Sequence, residues 1–290
     1  MIRVILTGGL GNQMFEYAAG KVLALKLGKK LTLDLYALNK KTKGVQRNFE
    51  LNIFNIDPNI SSSWETQFLV KSFPIVDKSR RFFGYTFNYY RDKSAIVYLP
   101  EFEKLNGNVI LHGHFQNEKY FIGYKDIIRK EFSFKAPLTG RNNALAARIQ
   151  STESIAVHIR RSDYLTDSNF ALCSADYYSE AISQIKEKIE NPHFFIFSQD
   201  FEWVKENISL GDSPVEYVDW NKKGDSYIDM QLMSLCKHNI IANSSFSWWA
   251  AWLNANPEKM IYAPSKWFRE EVRNSDLKYF YPSGWTIVNE

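Results

Sequence analysis

Residues Ile2 to Gly20 read IRVILTGGLGNQMFEYAAG: an apolar run, a glycine-rich turn and the onset of a helix. That succession opens many nucleotide-binding α/β folds, in which a strand feeds a turn whose backbone N–H groups meet a phosphate. The dinucleotide fingerprint G-x-G-x-x-G uses its third glycine to let the helix pack closely on the strand. Counted from Gly9, the register gives Gly9, Gly11 and then Met14, so the fingerprint fails. The phosphate loop G-x-x-x-x-G-K-[ST] fails as well: Lys21 follows Gly20, but Phe15 stands where the first glycine belongs. The turn announces a fold without naming a nucleotide.

Outward from this turn the chain keeps alternating. NQMFEYAAGKVLALKLG is an amphipathic helix ending at Gly28, which suits a helix C′ position, and KKLTLDL is a second strand. Tyr36 to Lys104 is less regular, with the polar insert NKKTKG and the aromatic stretch RRFFGYTFNYY. Order returns with the strand NVILHGHF, Asn108 to Phe115, and a helix from Glu118 to Lys130. FKAPLTG, Phe134 to Gly140, carries Pro137 and Gly140 and is the best linker. Beyond it, helix Arg141 to Gln150 precedes strand SIAVHIR, and further short runs, HFFIFS, VEYVD, NIIAN and KMIYAP, are separated by helices. Short β-branched runs between helices are what a parallel, doubly wound sheet requires.

The 290 residues are 45% hydrophobic and 23% charged, an ordinary globular composition, and a formal charge of +4 is too mild for a nucleic-acid binder. It suits an anionic small substrate or a loose peripheral contact with an acidic inner membrane face. Cys173 and Cys236 are too few for a disulfide framework or a cysteine-based zinc site, which fits a reducing cytoplasm. Neither a signal-peptide pattern nor an apolar run of about 18 residues occurs. The expectation is a soluble cytoplasmic protein. Aromatic residues make up 16% of the chain, and core packing explains them as well as sugar or base stacking does.

In such sheets ligands bind at the carboxyl ends of the strands, so the residues that leave each strand matter most. In VHIRRSDY, alternation puts His158 and Arg160 on one face, with Arg161 and Asp163 in the turn. Two arginines leaving a strand can grip a diphosphate through their planar forks, or an Arg–Asp pair can simply tie down the loop. His158 can equally be a satisfied core histidine. NSSFSWWAAW places Asn243, Ser244, Ser245 and Phe246 at a helix start, which is either a plain cap or a metal-free phosphate site. Asp229, beside the apolar face of its helix, is a carboxylate able to take two N–H bonds from a guanine edge, or a first-turn acid that suits the helix dipole. Ser198 or Asp200 in FSQD, at the end of another strand, can cap the helix that follows.

Absent motifs narrow the chemistry. No D-x-D occurs to chelate a divalent ion on a nucleotide sugar, and neither H-E-x-x-H nor G-x-S-x-G appears. His112 and His114 are two apart on a strand and able to share a metal, but no acid or cysteine stands close in sequence to complete a site.

Taken in order, GGLGNQMFEYAAGKVLA, LHGHFQNEKYF, VHIRRSDY and DMQLMSLCKHNIIANSSFSWWAAWLN resemble the α-1,2-fucosyltransferases, glycosyltransferase family 11. The resemblance implies a GT-B-like α/β architecture, two Rossmann-like domains facing across a cleft. Residues 1–138 would form the acceptor side and 139–290 would bind GDP-fucose, the segment beyond Pro264 being free to cross back or meet a membrane. It implies transfer of L-fucose, with inversion, from GDP-β-L-fucose to O2 of a galactose-terminated glycan, requiring no cofactor and no metal.

By motif position, Arg160 resembles the arginine that holds the β-phosphate and stabilises departing GDP, His158 a group near the nucleotide, and Asp229 a reader of guanine. Ser244, Ser245 and Phe246, with Asn243 before them, resemble the donor-side loop, and Gly11 and Asn12 would face the donor from the other domain. Gln13, Arg161, Ser198 and Asp200 adjoin these positions and are carried with them. Inversion by single displacement calls for a base, for which Asp163 is the candidate, unless a loose oxocarbenium-like state makes one unnecessary. Acceptor choice is expected to lie in Tyr36 to Lys104. A sister transferase using another sugar nucleotide or hydroxyl, and a non-catalytic glycan-binding module, are the alternatives.

Overall fold

The computed structural model describes residues 1–38, 47–61, 87–161, 164–166 and 168–289. The chain divides into two compact units, Met1–Lys135 and Ala136–Glu290, each built on its own parallel sheet. No helix among the described residues is long and apolar enough to cross a membrane.

Unit 1 begins with β1 (Ile2–Ile5), α1 (Leu10–Lys26) and β2 (Leu31–Asp34), followed by β3 (Ile60–Ser61), β4 (Phe87–Arg91) and β5 (Asn108–His112). Its strand order is β3-β2-β1-β5-β4, with every pair parallel. The chain therefore winds away from β1 in one direction and returns on its other side, so β1 and β5 flank the topological switch point. The Glu118–Lys130 helix is instead two single 3₁₀ turns, Glu118–Tyr120 and Ile122–Tyr124, followed by α2 (Lys125–Glu131). Asn117 caps the first turn through its side chain, and Phe121 and Ile128 are buried.

The missing third glycine of the opening turn has a substitute six residues later, at Gly20. A Cβ on Gly20 would lie 2.2 Å from Cγ2 of Val4 on β1, so α1 presses onto the strand through Gly20, not through position 14. Met14 fills core space nearby and is fully buried.

Unit 2 contains α3 (Gly140–Ser151), β6 (Glu153–Ile159), α4 (Ala175–Lys186), β7 (Pro192–Ser198), α5 (Phe201–Asn207), β8 (Val215–Val218), α6 (Tyr227–Leu235), β9 (His238–Ile240), α7 (Ser245–Leu253), β10 (Ile261–Pro264), α8 (Leu277–Phe280) and β11 (Thr286–Val288). The order β8-β7-β6-β9-β10-β11 is all parallel and is that of a six-stranded Rossmann sheet. Its switch point lies between β6 and β9. β6 and β7 are the apolar centre, with Ile155, Val157, Phe194 and Ile196 buried against Tyr177, Ile182 and Ile185 of α4. Such side chains each contribute about 1.5–3 kcal/mol on full burial.

The segment beyond Pro264 stays with unit 2. β11 pairs with β10, and Trp285 and Phe280 pack on Trp248 of α7. Trp248, Trp249 and Trp252 are all buried, which makes this helix a core element and not a sugar platform.

Candidate active site

The carboxyl ends of β6, β7 and β8 open into a cavity of about 530 Å³ within unit 2. His158, Arg160, Ser198, Asp229 and Phe246, five of the residues singled out in the sequence, line it together with Asn221 and Lys222. Residues distant in sequence meet here because β6 and β9 are neighbours and both end at this edge.

Arg160 is the first residue past β6, and its Nη1 donates to Ser244 Oγ at 3.5 Å. Its guanidinium also lies 5.0 Å from the centre of the Tyr164 ring. Ser244 is the N-cap of α7, its hydroxyl accepting from Phe246 N at 3.3 Å. A helix start carries a partial positive charge, and a guanidinium carries a full one. Each of these features suits an anion, and diphosphate oxygens can accept from both.

Asn243 anchors this arrangement. Its amide nitrogen donates to the carbonyls of Ala171 at 2.8 Å and Trp267 at 3.0 Å, and its Oδ1 accepts from Cys173 Sγ at 3.4 Å. The Asn243 side chain thus fastens the segment before α4 to the segment after β10, and it does not itself line the cavity. The ring of His158 lies 5.8 Å from that of Phe246, the two planes tilted by 42°, and both side chains line the cavity with Arg160.

Asp229 sits in the first turn of α6, and Asn221 Nδ2 donates to its Oδ1 at 2.8 Å. Asn221 is held in turn by Asn142 of α3 through reciprocal amide bonds of 2.9 and 3.1 Å, and Trp220 Nε1 donates to Asn142 Oδ1 at 2.7 Å. Arg141 stacks on Trp220 at 3.4 Å. Burial raises the Asp229 carboxyl from 3.8 to about 7, while the Asn221 hydrogen bond opposes that rise. A buried carboxylate with one neutral donor retains acceptor capacity, and it is stabilised by a ligand edge that brings two N–H groups.

Arg161 and Asp200 play another part. Arg161 Nε lies 3.4 Å from Asp200 Oδ2, and its guanidinium stacks 4.0 Å above Trp203. Asp200 also caps α5 by accepting from Trp203 N at 3.3 Å, and Ser198 Oγ accepts from Asp200 N at 3.0 Å. The Arg–Asp tie allowed by the sequence is therefore made by Arg161 with Asp200. Asp163 lies outside the described residues.

Gly11, Asn12 and Gln13 belong to unit 1. The start of α1 already holds a carboxylate, because Leu10 N donates to Glu50 Oε2 at 3.0 Å. Gln13 links Gly8 and Asn48 through carbonyl bonds of 3.1 and 2.8 Å and accepts from Glu50 N at 3.0 Å. Asn12 Oδ1 accepts from Gln116 Nε2 at 2.8 Å. A resident carboxylate at a helix start repels a phosphate there. His112 and His114 part company: His112 Nδ1 meets the Tyr89 hydroxyl at 2.6 Å, whereas His114 turns to Glu16 at 3.3 Å. Among the described residues no three His, Cys, Asp or Glu side chains gather as a metal site.

The sequence matches the family model for glycosyl transferase family 11 over residues 1–289. The chain belongs to glycosyl transferase family 11. Within reach of this family 11 chain is the alpha-1,2-colitosyltransferase of Escherichia coli, 35% identical over 279 residues, 93% of each protein. Galactoside alpha-(1,2)-fucosyltransferase 1 of Leontocebus fuscicollis is 27% identical over 145 residues, 46% of this chain and 40% of that one. Among solved structures, the Bradyrhizobium alpha-1,6-fucosyltransferase NodZ, soaked with GDP-fucose, aligns with a TM-score of 0.54 at 15% identity, over 87% of this chain and 91% of that chain. At that identity the likeness speaks for the fold, which is the two-sheet α/β class of the GT-B fucosyltransferases. The family 11 enzyme is thus a glycosyltransferase.

Proposed function

We propose that this glycosyltransferase moves L-fucose from GDP-β-L-fucose to O2 of a terminal β-galactoside, giving an α-1,2 link and releasing GDP without a metal. The observation that carries the reading is the convergence of Arg160 and the α7 start on a cavity that also holds Asp229. A purine diphosphate whose base offers adjacent N–H donors fits that set, and guanine is such a base. Arg160 and the helix start meet the diphosphate, and they stabilise the charge that gathers on it as the sugar–oxygen bond breaks. The linkage and acceptor rest on family membership and on the two relatives named for α-1,2 transfer.

The colitosyltransferase relative favours a second reading, in which the sugar on GDP is another L-configured deoxy sugar. A donor panel at fixed acceptor separates the two, since GDP recognition is common to both and sugar preference is not. Purified protein should release GDP from GDP-fucose only when a terminal β-galactoside is supplied, and equally in EDTA. Arg160→Ala should lower kcat by about 10²–10³, the effect of removing one preorganised donor to developing charge. Turnover within threefold of the parent would refute Arg160's role, and absence of transfer across a broad galactoside panel would refute the acceptor class.

A further inference from the structure

Asp229 and Asn221 line the cavity of unit 2, and both are tied to Trp220 and Asn142, which lie outside its lining. Trp220 Nε1 donates to Asn142 Oδ1 at 2.7 Å, and the amides of Asn142 and Asn221 bond reciprocally at 2.9 and 3.1 Å. Asn221 Nδ2 then donates to Asp229 Oδ1 at 2.8 Å. The first turn of α3 grips the indole twice, Arg141 stacking on its face at 3.4 Å and Asn142 accepting its N–H. The chain ends in the first turn of α6, which packs against α3. All four residues belong to unit 2.

The order of donors and acceptors along this chain has one cause. An asparagine amide is nearly symmetric in shape, and a reciprocal pair keeps both of its bonds when the two amides rotate by half a turn together. An indole N–H breaks that symmetry, because it can only donate. It requires Asn142 Oδ1 on its side, so Asn142 Nδ2 turns to Asn221 Oδ1 and Asn221 Nδ2 turns to Asp229. In the reversed arrangement two donors would meet at Trp220 and two oxygens at Asp229. The meeting of oxygens is relieved only when Asp229 takes a proton and donates it to Asn221. That carboxyl then offers one oxygen to a base edge where the carboxylate offers two. In the observed arrangement Asn221 occupies Oδ1, and Oδ2 is left to a ligand.

We propose that Trp220, acting through the Asn142–Asn221 amide pair, sets the base preference of the cavity by keeping a donor, never an acceptor, turned to Asp229; this rests on the reading of the cavity as a GDP-sugar site. A base with two adjacent N–H groups gains most from the arrangement, and a base with one gains less. Adenine, whose amine adjoins a ring acceptor, gains least. Trp220 and Asn142 are positioning residues that act from outside the cavity.

Burial raises the Asp229 pKa to about 7, and the Asn221 bond opposes that rise. The other titratable or charged groups around it are His158 on β6, Arg160 past it, Asp219 after β8, and Lys222, Lys223 and Asp225 before α6, with Arg141 held on Trp220. The α7 helix, which also packs on α6, carries none. Loosening the Asn221 bond should therefore move the Asp229 titration to higher pH.

The test compares the parent with Trp220→Phe, Asn142→Ala, Asp229→Asn and the Trp220→Phe/Asp229→Asn double variant. Phenylalanine keeps a ring for Arg141 and removes only the indole N–H. Calorimetry measures Kd for GDP and inosine diphosphate from pH 5 to 9, and thermal melts check folding. Trp220→Phe should weaken GDP about 3–10-fold at pH 8, the worth of one intramolecular hydrogen bond, and weaken inosine diphosphate less. The parent's GDP affinity should fall as pH drops through about 7. In Trp220→Phe and Asn142→Ala that fall should begin at higher pH, which a loosened fold alone would not produce. In the Asp229→Asn background Trp220→Phe should change the GDP Kd by less than twofold, because the chain acts through Asp229. Should Trp220→Phe fail to fold, Asn142→Ala carries the same comparison. Unchanged GDP preference and pH profile in the folded variant, or equal weakening of both nucleotides in either background, would overturn the proposal and leave the GDP reading intact. A parent that binds inosine or adenosine diphosphate as tightly as GDP would overturn the guanine reading and this proposal with it.

Discussion

Replacing Asp229 by Asn separates what this residue does for the ligand from what it does to the fold. The carboxyl lines the cavity beside Asn221, and burial pushes its pKa up from 3.8 to about 7. Its charged form is thus disfavoured by folding. That cost is absent below pH 3.8, grows as pH rises towards 7 and is constant above it. The rise from 3.8 to about 7 corresponds to at most about 4 kcal/mol. The carboxylate lines an open cavity whose water screens it, so about 2 kcal/mol is expected. Asp229→Asn should therefore raise Tm at pH 8 by about 4–8 °C, and by much less at pH 5.

GDP should respond in the opposite sense. Hydrogen bonds to a charged acceptor contribute about 1.5–3 kcal/mol, so the variant should bind GDP about 10–150-fold more weakly at pH 8. Preference for GDP over inosine diphosphate, which lacks the exocyclic amine, should shrink in parallel. Parent affinity for GDP should also fall as pH drops through 7, when the carboxylate gains a proton. Thermal melts at pH 5 and 8, with calorimetry on both nucleotides, read these effects. Unchanged GDP affinity together with unchanged stability at pH 8 would refute the account of Asp229.

Two further outcomes separate scaffold from site. Arg161→Ala removes the Asp200 ion pair and the Trp203 stack. It should lower stability by about 1 kcal/mol while leaving GDP affinity within threefold, and a loss of GDP binding comparable to that of Arg160→Ala would return Arg161 to the donor site. Gly20→Ala gains helix propensity, yet its Cβ would fall 2.2 Å from Val4 Cγ2. Denaturant unfolding should show a net loss of about 1–3 kcal/mol, partly recovered when Val4→Ala is added, and failure of that rescue would show that the contact does not set the packing.

Much of the frame was readable along the chain because its causes are local. The runs SIAVHIR and HFFIFS became β6 and β7 within a residue of their expected bounds, since uninterrupted apolar runs of that length have no other place than a sheet centre. Ser244 and Asp200 cap the helices that follow them, because capping depends on residues two or three apart. The short outer strands were harder. β4, inside an aromatic stretch, and β11, in a tail of mixed polarity, owe their extended form to a neighbouring strand and not to their own pattern.

The site divides in the same way. The sequence by itself determined which groups leave the strands: Arg160 after β6, Asp229 beside an apolar helix face and the serine cap of α7. It also established that the opening turn is no dinucleotide loop. Only the tertiary structure decided their partners. Asn142 reaches Asn221 over 79 residues, Glu50 reaches the start of α1 over 40 and His114 reaches Glu16 over 98. Asn, Glu and His carry no periodic signal of their own, and their chemistry depends on burial and on the donor that arrives from another strand. Strand order, set by packing both faces of each sheet, brings those donors to the same edge.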